Sequence, residues 1–97
     1  MTVEEFLASA KNDTAPAADL SLELQSLWFT KAGQWDAAHD IAQDIHTPMG
    51  SWLHALLHLI EGDLGNAGYW FRKAGRSVRT TDEIDALWVE IAEELLS

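Results

Sequence analysis

Two stretches of this chain carry the same pattern. KAGQWDAAHDIAQDI (31–45) aligns with IEGDLGNAGYWFRKA (60–74), so that Gly33 meets Gly62, Trp35 meets Leu64, Ala38 meets Ala67 and Ile45 meets Ala74. In each copy a glycine ends one helical pattern and precedes another. The two glycines lie 29 residues apart. A period of that length is one helix–turn–helix unit, and such a unit buries its apolar face only by stacking on neighbours. The architecture expected is all-α: two antiparallel hairpins, 20–46 and 51–74, closed by the last helix. A chain of 97 residues makes one domain of this kind.

The remaining sequence fits around that repeat. Helical spacing of apolar residues dominates and strand-like alternation is nearly absent. Thr2, with Glu4 and Glu5 behind it, predicts a first helix over 3–11. A second is expected over 18–32. Its Leu20, Leu22, Leu24, Leu27, Trp28 and Phe29 wrap much of the circumference, which predicts a central helix. A third is expected over 35–46. Thr47-Pro48-Met49-Gly50 reads as a break, with Ser51 capping a fourth helix to Glu61. A fifth is expected over 64–74, stopped by Gly75. Thr80 and Glu83 form a capping-box pattern for a last helix that ends near Leu96. Residues 1–16 then make an N-terminal cap and linker, 17–75 the two hairpins, and 76–97 a C-terminal cap.

At these positions the chain resembles the tetratricopeptide-repeat group. Alanine five residues after each glycine is part of that pattern. So are Ser26 and Ala55 where the group has a small residue. Phe29 and His58 stand at its large first-helix ring, and Ala42 and Phe71 at its second-helix aromatic position. The likeness covers about residues 20–75. It departs from the group in its shorter period, against about 34 residues, and in having two hairpins rather than three. AHDIAQDI…SWLHALLHLIEGDLGNAGYWFRKAGR also resembles a set of small microbial proteins of unassigned function. The resemblance implies a helical-hairpin fold that presents surfaces to protein partners.

Charge narrows the partners. Sixteen acids against six Lys and Arg give a formal net charge of −10, which opposes nucleic-acid backbones and anionic membranes. No segment has the roughly 20 apolar residues of a membrane helix. The N-terminal MTVEEFLASAKNDTAP carries acids where a secretory leader has bases. A cytoplasmic, soluble protein is therefore expected. Without cysteine the chain has no thiolate ligand and no disulfide. Five tryptophans, each needing a core or an interface, add to the case for self-association, with a symmetric dimer the commonest form.

Chemistry concentrates in HALLHLIEGD (54–63). On a helical wheel His54, His58 and Glu61 share the arc opposite Trp52, Leu53, Leu56 and Leu57, as the wet side of an ordinary helix would. The repeat register instead sets both histidines where a first helix packs on its second, with Gly65 and Gly68 facing them as points of close approach. On that register His58, more than His54, is expected in the seam, with Asp36, Asp40 or Glu61 as partner. His39 lies on the preceding helix. His39, His54, His58 and Glu61 are thus the candidate ligands for a divalent metal such as zinc. Ala55 stands where a zincin has its general base, so metalloprotease chemistry is excluded on this motif. No G-x-S-x-G context occurs, and no catalytic set is apparent. The leading functional expectation is a non-catalytic helical-repeat protein that binds a protein partner or itself. Asn66, Tyr69, Arg72 and Lys73 form its candidate contact surface, and Arg72 and Lys73 are expected to snorkel or pair with nearby acids. A metal- or ligand-binding protein built on the histidine cluster, with or without enzymatic activity, is the alternative.

Overall fold

A computed structural model describes residues 1–97. Six helices follow in order: α1 (Val3–Asn12), α2 (Leu22–Lys31), α3 (Trp35–Gln43), α4 (Pro48–Ile60), α5 (Leu64–Ala74) and α6 (Ile84–Leu96), with one 3₁₀ turn over Thr81–Glu83 before α6 and no strand. The all-α reading holds.

Helix starts follow local side-chain chemistry. Thr2 Oγ1 accepts from Glu5 N at 3.1 Å while Glu5 Oε1 accepts from Thr2 N at 2.9 Å, a complete capping box. Thr80 and Glu83 repeat it ahead of α6. The start of α2 moves from the expected Ala18 to Leu22, because the Ser21 hydroxyl accepts from Leu24 N at 3.2 Å and caps there. The start of α4 moves the other way. Pro48 opens the helix instead of breaking it, with Thr47 Oγ1 accepting from Gly50 N at 3.1 Å. Proline suits a first helical position, where its missing N–H has no intrahelical partner to lose. It also disfavours helix at Thr47, and α3 stops at Gln43 rather than the expected His46.

Both hairpin turns close in the same way. Gly33 and Gly62 adopt φ of 80° and 81°, which residues with a Cβ rarely tolerate. The next residue then bonds back five positions, Gln34 N to Phe29 O at 2.9 Å and Asp63 N to His58 O at 3.0 Å. The repeat extends into the packing. Ser26 and Ala55, Ala38 and Ala67, and Ala42 and Phe71 are all buried. Ser26 Oγ donates to Ala38 O at 2.9 Å, tying α2 to α3. Trp35 and Leu64 differ, half-buried against 59% exposed. The first hairpin has α4 packed against it, whereas α5 packs chiefly on α4 and turns its other side to solvent.

The central helix is α4, not α2. Every residue from Gly50 to Leu59 is buried, and α2, α3, α5 and α6 all touch the helix. Leu22 of α2 is 56% exposed. The last helix closes the bundle over α2 and α4, beside α1. Phe6 stacks on Trp88 with ring centres 5.5 Å apart, and the Trp88 indole donates to Leu27 O at 2.9 Å. Trp28 donates to Ser9 Oγ at 3.1 Å. Trp28 and Trp88 are thus buried with their indole N–H groups satisfied.

Close approach occurs at a different glycine from the two expected. A Cβ on Gly65 would meet nothing within 4 Å, and one on Gly68 would meet only Arg72 of the same helix, at 3.3 Å. At Gly50 it would lie 1.9 Å from the carbonyl oxygen of Ile45. The tight contact is therefore within the turn from α3 into α4.

Candidate metal centre

Three histidines meet in the seam of α3, α4 and α5. The arrangement starts at Trp35, in the first turn of α3, whose indole donates to Leu57 O of α4 at 2.7 Å. That bond sets the roll of α3. His39, one turn on, stacks on the Trp35 ring at 4.7 Å between centres and 11° between planes, and so faces α4. There His54 and His58 occupy the same side, four residues apart, with ring centres at 4.9 Å. Trp70 of α5 closes the far side, stacked on His54 at 3.9 Å.

His54 and His58 are both only 7% exposed. The wet-face arrangement is thereby excluded for them, because α3 and α5 cover the arc that a wheel of α4 alone leaves open. The expected ranking of the two also fails. His54 is as deeply seated as His58, and it is His54 that carries the stack on α5.

Polar contacts fix the rings. His39 Nε2 and His54 Nε2 lie 2.8 Å apart. Such a contact needs a proton on one nitrogen and a lone pair on the other, so at least one of the two rings is neutral. His54 is held neutral. Burial, and then the neighbouring His39, His58 and Lys73 charges, push its pKa down to about 4. His58 Nδ1 meets Glu61 Oε1 at 2.6 Å, with Asn66 Nδ2 further off at 3.5 Å. Of the three acids expected to serve His58, Glu61 is the one that does; Asp36 and Asp40 are exposed.

This geometry divides the four candidate ligands. His39, His54 and His58 each offer a nitrogen, all within 4.8 Å of one another. Glu61 stands behind His58 and joins a separate, more exposed group with His58 and Asp63. Asp63 in that group already accepts from Asn66 N at 3.3 Å as the cap of α5. The three-histidine set is the better metal site. Tetrahedral zinc at about 2.0–2.1 Å from each nitrogen spaces its ligands roughly 3.3 Å apart. The His39–His54 pair would open by about half an ångström, and His58 would close in. With Nδ1 engaged by Glu61, His58 has Nε2 left for an ion, the carboxylate–histidine–metal order found behind zinc ligands.

The candidate contact surface is spread along the open side of α5. Asn66, Tyr69, Arg72 and Lys73 are exposed, Tyr69 at 53%. Lys73 lies over the rings of Trp70 and Tyr69, at 4.9 and 5.9 Å. Two residues of the centre were not foreseen as such. Trp35 shares a helix face with His39 at a spacing of four, a signal available in the sequence. Trp70 has no such signal, since its place opposite His54 depends on how α5 crosses α4. No family model matches the chain, and neither do curated proteins or solved structures.

Proposed function

We propose that this protein binds one divalent transition-metal ion, zinc fitting best, through His39, His54 and His58, with Glu61 orienting His58. The observation that carries the reading is the meeting of three imidazoles from two helices in one seam, two of them more than nine-tenths buried. Imidazole nitrogens without thiolates suit zinc, and three protein ligands leave a fourth position for water, as in zinc sites that act on substrates rather than hold a fold. A seam of three apolar side chains would fill the same space without depressing a histidine pKa, so an ion gives the cluster a purpose that packing does not.

The test is zinc titration of chelator-stripped, untagged protein, with calorimetry and thermal melting as readouts. One zinc per chain is expected. Free zinc at about 100 times Kd would add roughly 2.7 kcal/mol to stability. His39→Gln removes a ligand at the half-buried position and should abolish both effects. No saturable binding, or binding unchanged in His39→Gln and therefore due to surface acids, would end the reading.

A second reading, association with a protein partner or another copy of the chain, draws on α5. Leu64 and Tyr69 are 59% and 53% exposed on the helix whose counterpart in the first hairpin, α3, has α4 against it. Asn66, Arg72 and Lys73 border them. A mass near 10.8 kDa by light scattering at every micromolar concentration would exclude self-association.

A further inference from the structure

The structure assigns a second binding site beside the histidine cluster: the cleft between the α3–α4 turn and α5 takes a small organic monocarboxylate, held by Lys73 and Ser51. The cleft measures about 440 Å³ and is walled by Ile45, Pro48, Ser51, His54, Trp70 and Lys73 among others. That volume falls within the range of small-molecule sites.

Charge selects the ligand's sign. The chain holds sixteen acids, yet no Asp or Glu lines this cleft. Lys73 takes part in none of the ion pairs, which engage Lys31, Arg76 and Arg79. Its ammonium rests instead on aromatic faces at the rim. An uncompensated cation in a strongly acidic protein is a place where an anion gains and a cation loses.

Hydrogen bonding selects the group. Ser51 is 8% exposed and lines the cleft. All fully buried side-chain donors and acceptors are satisfied within the chain. The Ser51 hydroxyl, which bonds to no other residue, therefore opens on the cleft as a free donor. Lys73 is the one Lys or Arg on the walls, which matches the single charge of a carboxylate, and Ser51, beside the polar Gln43, His46 and Thr47, offers a hydroxyl to its oxygens. A phosphate dianion asks for more positive charge than a single lysine supplies. Ile45, Pro48 and the edge of Trp70 leave apolar surface for the rest of the molecule.

His54 is a wall shared with the histidine cluster, but the cleft does not depend on a metal, and the test is run in chelator so that the two readings stand or fall apart. Benzoate, benzamide and benzamidinium have nearly the same shape and differ in charge. Each is titrated into ¹⁵N-labelled protein, following amide shifts. Benzoate should give saturable shifts confined to residues 43–54 and 70–73, benzamide weaker ones, and benzamidinium none there. Lys73→Gln should weaken benzoate about tenfold, the worth of one charge-assisted contact at a half-open site. Ser51→Ala should weaken it less, with the urea midpoint of each variant near wild type. The proposal is overturned if benzoate causes no saturable shift, if benzamidinium matches it, or if Lys73→Gln binds it as tightly as wild type.

Discussion

Gly50→Ala is the substitution that most directly tests the packing beneath the histidine cluster. The added Cβ would sit 1.9 Å from Ile45 O and 2.8 Å from Ile45 C. Backbone atoms cannot rotate aside as a side-chain end can, so the α3–α4 turn must move by more than 1 Å to reach ordinary contact. Such overpacking costs about 1–3 kcal/mol. Moving the turn also strains the bond from Gly50 N to Thr47 Oγ1, now 3.1 Å, a helix cap worth about 1 kcal/mol. Alanine's better helix propensity returns about 1 kcal/mol. The net loss is roughly 1–3 kcal/mol, or a fall of about 5–20 °C in Tm for a domain of this size. Gly65→Ala supplies the contrast, since its Cβ would meet nothing within 4 Å on the exposed side of α5. There the propensity term acts alone and should raise stability by about 0.5–1 kcal/mol. Both are read by thermal melting and urea denaturation followed by circular dichroism at 222 nm, on the order of a routine measurement. Equal Tm values for Gly50→Ala and wild type would refute the close contact and the reasoning built on it.

Acid should weaken the metal-free fold through His54. Its pKa is about 4 in the folded chain against 6.5 when free, so the unfolded chain holds more protons in that interval. The stabilising neutral ring is present above pH 6.5 and is lost as pH falls toward 4, by roughly 1–3 kcal/mol. Urea midpoints across that window should fall less steeply in His54→Gln, and an identical slope would contradict the buried neutral ring. Glu61→Gln should lower zinc affinity roughly 10–100-fold while leaving the melting temperature without metal nearly unchanged, as a carboxylate behind a ligand does; calorimetry reads the first and melting the second. Trp88→Phe keeps the stack on Phe6 but leaves Leu27 O without its indole donor. A loss of about 1–2 kcal/mol is expected in urea denaturation.

How far the sequence alone reaches depends on the range of the forces involved. Its helices were legible because their signals are local. Thr2 with Glu5, Thr80 with Glu83, and glycines 33, 62 and 75 act within one turn of themselves, and their expected roles match the structure. The shifts at Ser21 and Pro48 are of the same local kind, one cap preferred to another. The repeat locates the hairpin seams, and spacing and chemistry single out His39, His54, His58 and Glu61 as a set. Tertiary structure decided where that set sits. A wheel of α4 shows polar groups on one arc and cannot show that α3 and α5 lie across it, so the burial of His54 and His58 was open until those helices were placed. The Nε2–Nε2 contact of His39 and His54 spans fifteen positions of chain, and the Trp35 bond that aims His39 spans twenty-two. The tight glycine is Gly50 because the α3–α4 turn folds the Ile45 backbone against the first turn of α4, a contact that no pattern of residue types marks. Local energies write themselves into adjacent residues, whereas a site gathered from three helices exists only once their packing sets its distances.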